Sequence, residues 1–461
     1  MSDLTRTDST AFFTDQYELT MVQAALESGA AHRKSLFEVF GRSLPAGRRY
    51  GVVAGTGRIL EMIRDFRFDD AELSFLSREN IVDSRTIDWL ANYRFSGNIR
   101  GYAEGEIYFP GSPLLTIEST FAEGVILETL ILSAMNYDCA VASAASRMAQ
   151  AAGDRPCAEM GGRRTNEHAA VAAARAAVIG GFASTSNLAA GLQYGLRTIG
   201  TSAHSFTLLH DSEREAFAAQ LKSLGTDTTL LLDTYDVEEA LTTAIELAGP
   251  NLGGVRIDSG DLIEQASEVR ESLDRLGARD TTITVTSDLD EYAIAALAAS
   301  PVDSYGVGTR VVTGSGAPAA GLVYKLVARA DEAGEWTSVA KHSSSKPSRG
   351  GHKEALRLID GPIAVEEAVG IPSLPDDLGE GRRLSVDLVL DGEVDESFIG
   401  AAGVKKACAR HDESLAELPR SARRLQDGGP AIPTVFYSAL YAPGDLAHWA
   451  VSRVRIEPAY N

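Results

Sequence analysis

The segment VRIDSGDL, residues 255–262, contains side chains whose types and spacing suggest chemistry. If residues 255–257 are extended, Arg256 and Asp258 point to the same side of the strand. This pair offers a guanidinium to an anionic ligand and a carboxylate to Mg²⁺ or a sugar hydroxyl, with Ser259 and Asp261 close in sequence. A buried arginine–aspartate pair that serves only the fold is an equal alternative from these residues alone.

A single histidine stands among small and apolar residues in RTIGTSAHSF, residues 197–206. The chain has eight histidines, and in such company an imidazole is usually a packed core residue. Whether His204 takes part in chemistry therefore depends on what the fold brings to it.

Two further segments favour anion binding. YGVGTR, residues 305–310, follows an apolar run and offers successive backbone N–H groups that suit a phosphate, with an ordinary glycine turn as the alternative. The sequence has no G-x-x-x-x-G-K-[ST] motif, which excludes a P-loop nucleotide site. Arg163 and Arg164 precede an alanine-rich helix, where positive charge opposes the helix dipole, so we expect an anion to compensate.

The segment KHSSSKPSRGGHK, residues 341–353, is basic in an acidic chain. It suits a loop that closes on a polyphosphate, with a solvated loop as the alternative. At the amino end, TDQYELTM predicts a capping box in which Asp15 caps a helix and Glu18 returns the hydrogen bond. That box leaves Tyr17 to pack in the core or to stack on a flat ligand.

The acids of LLDTYD and TSDLDEY have two explanations. They could serve the same site as Arg256, or they could cap the helices that follow. We favour capping for Asp236, Asp290 and Glu291, and leave both uses open for Asp233 and Asp288.

These segments belong to a repeating pattern of an apolar run, a polar cluster and an alanine-rich or amphipathic segment. The polar clusters are at 159–168, 180–187, 200–205, 231–236, 255–262, 285–292 and 305–310. The pattern predicts parallel strands with crossover helices, and the number of units favours a closed or nearly closed β/α barrel. Clusters that follow such strands share one rim, where barrels carry their active sites, which favours a functional His204.

Both ends of the chain predict a second α/β domain. Residues 96–118 alternate like antiparallel strands, 322–327 and 354–360 are strand-like, and 61–95 and 405–426 are helical with surface-facing sides. We therefore predict an amino-terminal part of this domain at 1–118, the barrel at 119–321, and a return to the α/β domain with a C-terminal extension at 322–461.

Charge and cysteine content argue against several classes of function. A formal net charge of -21 disfavours nucleic acid and anionic membranes, because both need a broad basic face. Three widely spaced cysteines argue against a disulfide framework or a zinc site, and no residue is assigned as a metal ligand. The sequence shows no signal peptide and no membrane-spanning run, so the expected location is the cytoplasm.

Taken together, these segments resemble nicotinate phosphoribosyltransferases of the ATP-coupled type, over about residues 11–355. The segments that carry the resemblance are TDQYELTM, ETLILSAMNYDCAVASAASRM, GGRR, GTSAHSF, LLDTYD, VRIDSGDL, GVGTRVVTG and GLVYKLV. The resemblance implies that nicotinate and phosphoribosyl pyrophosphate become nicotinate mononucleotide and pyrophosphate in NAD salvage, with ATP hydrolysis and Mg²⁺. It also implies a homodimer whose active sites lie at the subunit interface.

The resemblance assigns His204 as the histidine that ATP phosphorylates, and neutral imidazole is a competent nucleophile for that step. It assigns Arg256 to the pyridine ring and its carboxylate, Tyr17 to stacking on that ring from the other subunit, and Arg163 to the substrate. The remaining matches lie near the ribose and pyrophosphate, at Asp233, Asp258 and Ser259, and at the 5′-phosphate, at Gly306, Gly308 and Thr309.

Two positions bear on the substrate. Met160 stands where relatives commonly carry Phe as the second face of an aromatic sandwich, and a thioether can still lie against a ring. Nicotinamide-using relatives carry Asp where this chain has Ser186; a carboxylate there would repel nicotinate, whereas a hydroxyl can donate to it. The alternatives are a nicotinamide- or quinolinate-using enzyme and a non-catalytic barrel that senses phosphorylated metabolites.

Overall fold

A computed structural model describes residues 9–341 and 348–438 and the backbone of residues 454 and 455. The chain forms two compact units. The second unit is Val141–Pro318, and the first is formed by the chain on both sides of it.

The strands of the described residues are numbered in chain order. They are β1 (Lys34–Gly41), β2 (Gly51–Val52), β3 (Asn98–Tyr102), β4 (Ile107–Tyr108), β5 (Leu115–Thr120), β6 (Cys157–Glu159), β7 (Ser184–Thr185), β8 (Thr229–Leu231), β9 (Gly254–Ile257), β10 (Thr282–Ser287), β11 (Ser304–Val307), β12 (Leu322–Ala330), β13 (Trp336–Ser338), β14 (Glu354–Asp360), β15 (Ile363–Ile371), β16 (Gly381–Arg383), β17 (Ser385–Leu390), β18 (Glu393–Val394), β19 (Thr434–Ser438) and β20 (Val454–Arg455).

The α-helices are numbered in the same way. They are α1 (Gln16–Ser28), α2 (Thr56–Arg64), α3 (Asp70–Arg78), α4 (Ser84–Ala91), α5 (Phe121–Val125), α6 (Glu128–Ala152), α7 (Glu167–Ile179), α8 (Leu188–Tyr194), α9 (His204–Leu209), α10 (Glu213–Leu224), α11 (Val237–Ala248), α12 (Leu262–Arg275), α13 (Glu291–Ala296), α14 (Thr309–Val312) and α15 (Gly400–Ala416).

The main sheet of the first unit combines strands from both ends of the chain, in the order β13-β12-β1-β5-β3-β17-β18. Strand β1 pairs antiparallel with β5 and with β12, and Val39 at its centre lies opposite Leu115 and Tyr324. All three side chains are buried, so the pairing register places apolar residues in the core. The strands predicted within 96–118, at 322–327 and at 354–360 are confirmed as β3 to β5, β12 and β14.

Helices of the first unit follow the predicted capping signals. Asp15 caps α1 in a capping box with Glu18, as predicted. Glu18 is fully buried and also accepts hydrogen bonds from the backbone N–H and the hydroxyl of Thr129. The helical prediction for 61–95 is confirmed by α2, α3 and α4, although one side of each helix is buried rather than surface-facing. The helical prediction for 405–426 is confirmed in part: α15 ends at Ala416, and a short 3-10 helix follows at Arg420–Arg423.

One helical stretch qualifies as a membrane span by length and composition alone, although the sequence analysis found none. It is Phe121–Ala152, and 67% of its apolar window is buried inside the protein. Burial of that extent gives the apolar composition a packing explanation.

A smaller sheet of the first unit, β16-β14-β15-β19-β20, contains a buried ion pair. Arg357 on β14 lies opposite Glu367 on β15, with Arg357 Nη2 2.8 Å from Glu367 Oε2 and both side chains fully buried. Arg357 also donates to the carbonyl of Ile107, and the hydroxyl of Tyr102 donates to Glu367 at 2.9 Å. These bonds connect the smaller sheet to β3 and β4.

The second unit contains a six-stranded parallel sheet in the order β7-β6-β11-β10-β9-β8. Every pairing in it is parallel, so the carboxyl ends of its strands lie at one edge, as predicted. A single parallel bridge from Thr185 to Thr198 continues beyond β7.

The structure supports a parallel α/β sheet but not a closed barrel. In the part of the chain that the structure describes, no strand pairing joins β8 back to β7 or to the bridge at Thr198. The segment from the bridge to β8 is occupied by α9 and α10, so no strand closes the sheet there. The second unit begins at Val141, within α6, whereas the predicted barrel domain of 119–321 begins before α5.

We predict that Arg357→Met lowers the free energy of unfolding by about 3–5 kcal/mol, because it leaves the Glu367 carboxylate buried without its cation. Urea denaturation followed by circular dichroism measures the change. Arg383→Met is the control: this arginine is 75% exposed, lies 3.7 Å from Glu354 and should change stability by less than about 1 kcal/mol. Equal losses in the two variants would contradict the role of the buried pair.

Candidate functional site

The polar clusters predicted from the sequence lie at the carboxyl ends of the parallel strands of the second unit. Residues 160–166 follow β6, 186–187 follow β7, 232–236 follow β8, 258–261 follow β9, 288–290 follow β10 and 308 follows β11. Residues 199–203 follow the bridge at Thr198 and lead into α9, whose first residue is His204.

Asp233 connects the segment after β8 to the segment after β9. Its Oδ2 atom accepts hydrogen bonds from the backbone N–H of Asp258 at 3.1 Å and from the hydroxyl of Ser259 at 2.5 Å. Its Oδ1 atom is buried and accepts no hydrogen bond within the described residues. Asp258 is fixed in turn by the hydroxyl of Thr286 on β10, which donates to its Oδ1 atom.

His204 faces these two carboxylates. Its Nε2 atom lies 3.9 Å from Asp233 Oδ1 and 3.8 Å from Asp258 Oδ2. Its Nδ1 atom is 3.2 Å from the hydroxyl of Thr234. The imidazole is 40% exposed, so it is not the packed core residue that its neighbours in sequence favour, and a ligand can reach Nε2.

Arg256 projects from the edge of the sheet beside the same cluster. Strand β9 is extended as the sequence analysis assumed, with Val255 and Ile257 buried and Arg256 between them partly exposed. Its Nη1 atom donates to the hydroxyl of Thr201 at 2.7 Å, whereas its buried Nε atom has no hydrogen-bond partner within the described residues.

Several charges act on the Arg256 guanidinium. Burial lowers its pKa, the carboxylates of Asp258 and Asp233 oppose that change, and the positive charge of Arg163 adds to it. The Arg163 side chain itself is exposed. Two like charges near one another favour an anion between them, which fits the expectation drawn from the sequence.

Met160 and Gly306 form a close contact between β6 and β11. A Cβ atom at position 306 would lie 2.7 Å from Met160 Sδ and 2.5 Å from Thr286 Cγ2. Gly306 is buried within β11, so packing accounts for the missing side chain, and the phosphate contact that the resemblance implies for it stays a prediction. Gly308 and Thr309 directly follow this strand and are half-buried, and the Thr309 hydroxyl donates to Asp288 at 3.3 Å.

Ser186 is exposed directly after β7, and its backbone N–H donates to the carbonyl of Glu159 at 2.8 Å. The next residue, Asn187, caps α8 through its side chain. The Ser186 hydroxyl is therefore presented at the same edge of the sheet as Arg163 and His204.

The first unit holds the remaining predicted residues. Tyr17 lies in the first turn of α1 and is 45% exposed. Partial burial, followed by the charge of Glu128, raises the pKa of its hydroxyl to about 12, so the phenol stays protonated.

The basic segment 341–353 is described except for residues 342–347, which lie outside the described residues. Its described end lines a cavity of about 500 Å³ in the first unit, together with Arg42 and Phe436. Lys353 lies 2.7 Å from the buried Glu38 carboxylate, and Arg349 lies over the Phe436 ring at 4.4 Å. With Arg42 these side chains make the cavity cationic.

Comparison with known proteins decides the family. Sequence profiles match the nicotinate phosphoribosyltransferase (NAPRTase) N-terminal domain at residues 12–136 and the NAPRTase family at residues 156–358. Nicotinate phosphoribosyltransferase pncB1 of Mycobacterium tuberculosis is 52% identical over 438 residues, which cover 93% of this chain and 95% of that protein. The chain belongs to the nicotinate phosphoribosyltransferase family. The resemblance inferred from its sequence segments is thereby confirmed.

Two further members of the nicotinate phosphoribosyltransferase family are similar to this chain over most of its length. The nicotinate phosphoribosyltransferase of Bacillus subtilis is 34% identical over 82% of this chain and 79% of its own length. The crystal structure of human nicotinic acid phosphoribosyltransferase matches with a TM-score of 0.77 at 25% identity, covering 92% of this chain and 97% of the human chain. The similarity therefore extends over both units and not over the site segments alone.

The capping predictions for this family member hold for two of three acids. Asp236 caps α11 and Asp290 caps α13. Asp261, which the sequence analysis grouped with Arg256, caps α12. The prediction for Glu291 is wrong: this acid is buried, lies 3.1 Å from Arg147 and accepts a hydrogen bond from Ser315.

Sequence reasoning missed four residues that organise the site. Thr201 binds Arg256, Thr234 binds His204, Thr286 binds Asp258, and Glu159 is fully buried beneath the glycines that follow it. Three are threonines that are ordinary at strand ends. Glu159 had a signal that could have revealed it, a lone acid at the end of an otherwise apolar strand.

Glu213 at the start of α10 lies near the negative charges of Asp236 and Glu239, and its titration tests their effect. Burial, followed by the charges of Asp236 and Glu239, raises its pKa from 4.5 to about 7. Its stabilising contribution is complete below about pH 4.5 and is lost as the pH rises through about 7. Glu213→Gln should therefore raise the thermal unfolding midpoint, relative to the parent protein, more at pH 8 than at pH 5. Glu215→Gln, which changes an exposed acid of the same turn, should show no such dependence on pH.

Proposed function

We propose that this protein transfers the phosphoribosyl group of phosphoribosyl pyrophosphate to nicotinate, with ATP hydrolysis coupled through a phosphohistidine at His204. The products are nicotinate mononucleotide and pyrophosphate, in the salvage of NAD. The observation that carries the proposal is the cluster in which His204 Nε2 lies within 4 Å of Asp233 and Asp258. Arg256, two residues before Asp258, supplies a cation at the same edge of the sheet.

Nicotinate is held through its carboxylate in this proposal. The Arg256 guanidinium has a buried N–H without a partner in the described residues, and Arg163 brings a second positive charge to it. A charge-assisted bond from these groups is stronger with a carboxylate than with a neutral amide. The exposed Ser186 hydroxyl adds a donor, which favours nicotinate over nicotinamide.

The phosphorylated sugar occupies the segments after β8, β9 and β11. Asp233 and Asp258 present carboxylate oxygens to ribose hydroxyls, and Ser259 holds Asp233 in place by donating its hydroxyl to Oδ2. The open backbone at Gly308 and the hydroxyl of Thr309 receive the 5′-phosphate. Gly306, the third position assigned to the 5′-phosphate, also allows Met160 to lie against the sheet.

The residues present are compatible with Mg²⁺ as a companion of the phosphates. No group of three or more His, Cys, Asp or Glu side chains in the described residues is arranged as a metal site. Mg²⁺ commonly uses one or two carboxylates together with substrate phosphates, and the buried Asp233 Oδ1 atom is without a partner in that part of the chain. When bound, Mg²⁺ would neutralise the charge that develops on the departing pyrophosphate.

The transfer breaks the bond between C1 of the ribose and the pyrophosphate oxygen, whose electron pair leaves with the pyrophosphate. The lone pair of the pyridine nitrogen forms the new bond to C1, which carries positive charge in the transition state. Since this nitrogen has no proton to lose, the protein needs no general base. Asp233 and Asp258 stabilise the positive charge, and Arg256 fixes the orientation of the ring.

ATP acts on the same cluster through His204. A tautomer with its proton on Nδ1 donates to the Thr234 hydroxyl and leaves the Nε2 lone pair free for the γ-phosphorus of ATP. The bond from Nε2 to phosphorus forms as the bond to the ADP oxygen breaks. The exposed imidazole and the small residues at 200–203 leave room for the phosphoryl group.

The proposal includes a cytoplasmic homodimer with shared active sites, in which Tyr17 stacks on the nicotinate of the other subunit. Exposed leucines support contact with a second copy: Leu188 and Leu192 lie on one side of α8, and Leu208 and Leu209 lie on α9. The cationic cavity of the first unit, with Arg42, Arg349 and Lys353, suits a polyphosphate and gives the basic segment a use.

The deciding experiment incubates the purified protein with phosphoribosyl pyrophosphate and Mg²⁺, together with nicotinate, nicotinamide or quinolinate, with and without ATP. Chromatography identifies the mononucleotide. We expect nicotinate mononucleotide alone, formed faster with ATP. Nicotinamide mononucleotide would favour the nicotinamide enzyme, carbon dioxide release from quinolinate would favour the quinolinate enzyme, and no product with any base would favour the sensor.

His204→Ala should abolish stimulation by ATP and leave slow transfer without it, so that the ratio of rates with and without ATP falls to about one. The variant should also fail to retain label from γ-labelled ATP. His210→Ala is the matched control, since His210 directly follows α9 and its side chain contacts Phe206, through a hydrogen bond from Nδ1 to the carbonyl and through ring packing. An ATP effect that persists in His204→Ala would contradict the phosphohistidine.

Arg256→Ala should raise the KM for nicotinate by about tenfold or more, because it removes a charge-assisted hydrogen bond to the carboxylate. The KM for phosphoribosyl pyrophosphate should change far less. Steady-state kinetics with each substrate varied in turn measures both constants, with the exposed Arg275→Ala as control. Comparable increases in the two constants would contradict the placement of Arg256 at the nicotinate.

A further inference from the structure

Glu159 is a buried acid for which the proposed reaction has no use. Its side chain is fully buried at the end of β6. One carboxylate oxygen accepts a hydrogen bond from the backbone N–H of Gly161, and the other accepts one from the hydroxyl of Thr185 at 2.6 Å. Burial raises the pKa of this carboxyl, and the bonds from Thr185 and Gly161 oppose the rise.

The two donors belong to the two segments that face the pyridine in the proposed function. Gly161 begins the turn that leads to Arg163, and Thr185 directly precedes Ser186. The hydroxyl of Thr185 also accepts from the backbone N–H of Asn187 at 3.0 Å. A continuous chain of hydrogen bonds therefore runs from the start of α8 through Thr185 to Glu159 and on to Gly161.

Packing leaves the Gly161 turn little freedom to settle elsewhere. A Cβ atom at position 161 would lie 2.2 Å from Val312 Cγ1 and 3.0 Å from the Glu159 carboxylate. The backbone N–H of Met160 donates to the carbonyl of Val307 at 2.7 Å, and the carbonyl of Glu159 accepts from Ser186. Backbone bonds fix Met160 and Ser186 beside the carboxylate. The turn itself is held by the carboxylate at the Gly161 N–H and by a bond from the Arg164 N–H to the Gly161 carbonyl at 2.8 Å.

We propose that Glu159 is a positioning residue for nicotinate recognition: one buried carboxylate sets the turn that carries Arg163 and the strand end that carries Ser186. The proposal rests on the proposed function. Without the carboxylate, the Gly161 N–H and the Thr185 hydroxyl lose their acceptor in a dry site and turn to other partners. Arg163 and Ser186, two of the three groups proposed to hold the nicotinate carboxylate, then move. Arg256 on β9 and the segments after β8 and β9 that bind the sugar keep their own bonds.

The choice of substitution separates geometry from charge. Glutamine keeps the length of the side chain; its oxygen can accept from Gly161, and its amide nitrogen can donate to the Thr185 hydroxyl. Alanine removes both acceptors and leaves a cavity. Thr185→Val keeps the acid and its bond from Gly161; it removes the bond from Thr185 to Glu159 together with the bond from the Asn187 N–H to the Thr185 hydroxyl.

The experiment compares Glu159→Ala, Glu159→Gln and Thr185→Val by steady-state kinetics, each substrate varied in turn, and by thermal unfolding. We expect Glu159→Ala to raise the KM for nicotinate by about tenfold to a hundredfold, with the KM for phosphoribosyl pyrophosphate within about threefold of the parent value. Glu159→Gln should restore nicotinate binding to within about threefold, and Thr185→Val should fall between the two. If Glu159→Ala does not fold, Thr185→Val carries the test.

Three outcomes would overturn the inference. They are an equal rise in the two KM values, a lower unfolding temperature with unchanged KM values, and a glutamine variant as impaired as the alanine variant. Asp303→Asn is the control, because Asp303 accepts from the backbone of Ile283 at the amino ends of the strands and should leave both KM values unchanged. A parent protein that does not use nicotinate at all would refute the proposed function itself, which is a separate result.

Discussion

Parallel pairing of short strands is the constraint on which the site depends. Strands β6 to β11 contribute two to six residues each, and all of them run in the same direction, so the residue after each strand emerges at one edge of the sheet. Residues far apart in sequence, such as Arg163, His204 and Asp258, are brought to that edge by the strands and the bridge that precede them. Hydrogen bonds between neighbouring segments, above all those to Asp233, then fix the side chains that the strands have only brought near.

The two oxygens of the Asp233 carboxylate have different roles. One holds the segment after β9, and the other is left for the proposed ligand. Asp233 Oδ2 is fully engaged by the turn after β9, whereas its Oδ1 atom is buried and turned towards His204. Such a group is already desolvated and oriented before a ligand arrives, so little reorganisation is needed when charge develops near it. The partial burial of Arg256 has a similar effect. A guanidinium that lacks some of its hydrogen-bond partners binds an anion more strongly than a hydrated guanidinium does.

Patterns with a local physical cause could be predicted from the sequence. The capping box of Asp15 and Glu18, the caps at Asp236 and Asp290, and the extended backbone around Arg256 all follow from neighbouring residues. The common edge of the polar clusters also followed, because strand direction is implied by the alternation with helices. Closure of the barrel did not follow, since α9 and α10 occupy the stretch between Thr198 and β8, and a count of polar clusters cannot distinguish a strand from such a connection. The role of Thr201 depends on a contact with the distant Arg256, for which the sequence has no local signal. Glu159 stands out locally as a lone acid at the end of an apolar strand, but its partner Thr185 lies on a different strand.

The contact between Met160 and Gly306 couples the side-chain size that is allowed at two positions far apart in sequence. The thioether fills the space that a side chain at 306 would need, so a larger residue at 306 is compatible with the sheet only if residue 160 becomes smaller or turns away. A side chain at 306 would also meet Thr286, so a smaller residue at 160 removes one of the close contacts without making room by itself. If nicotinate lies against Met160 as proposed, the position of the thioether beside the ring is set by Gly306 on a neighbouring strand.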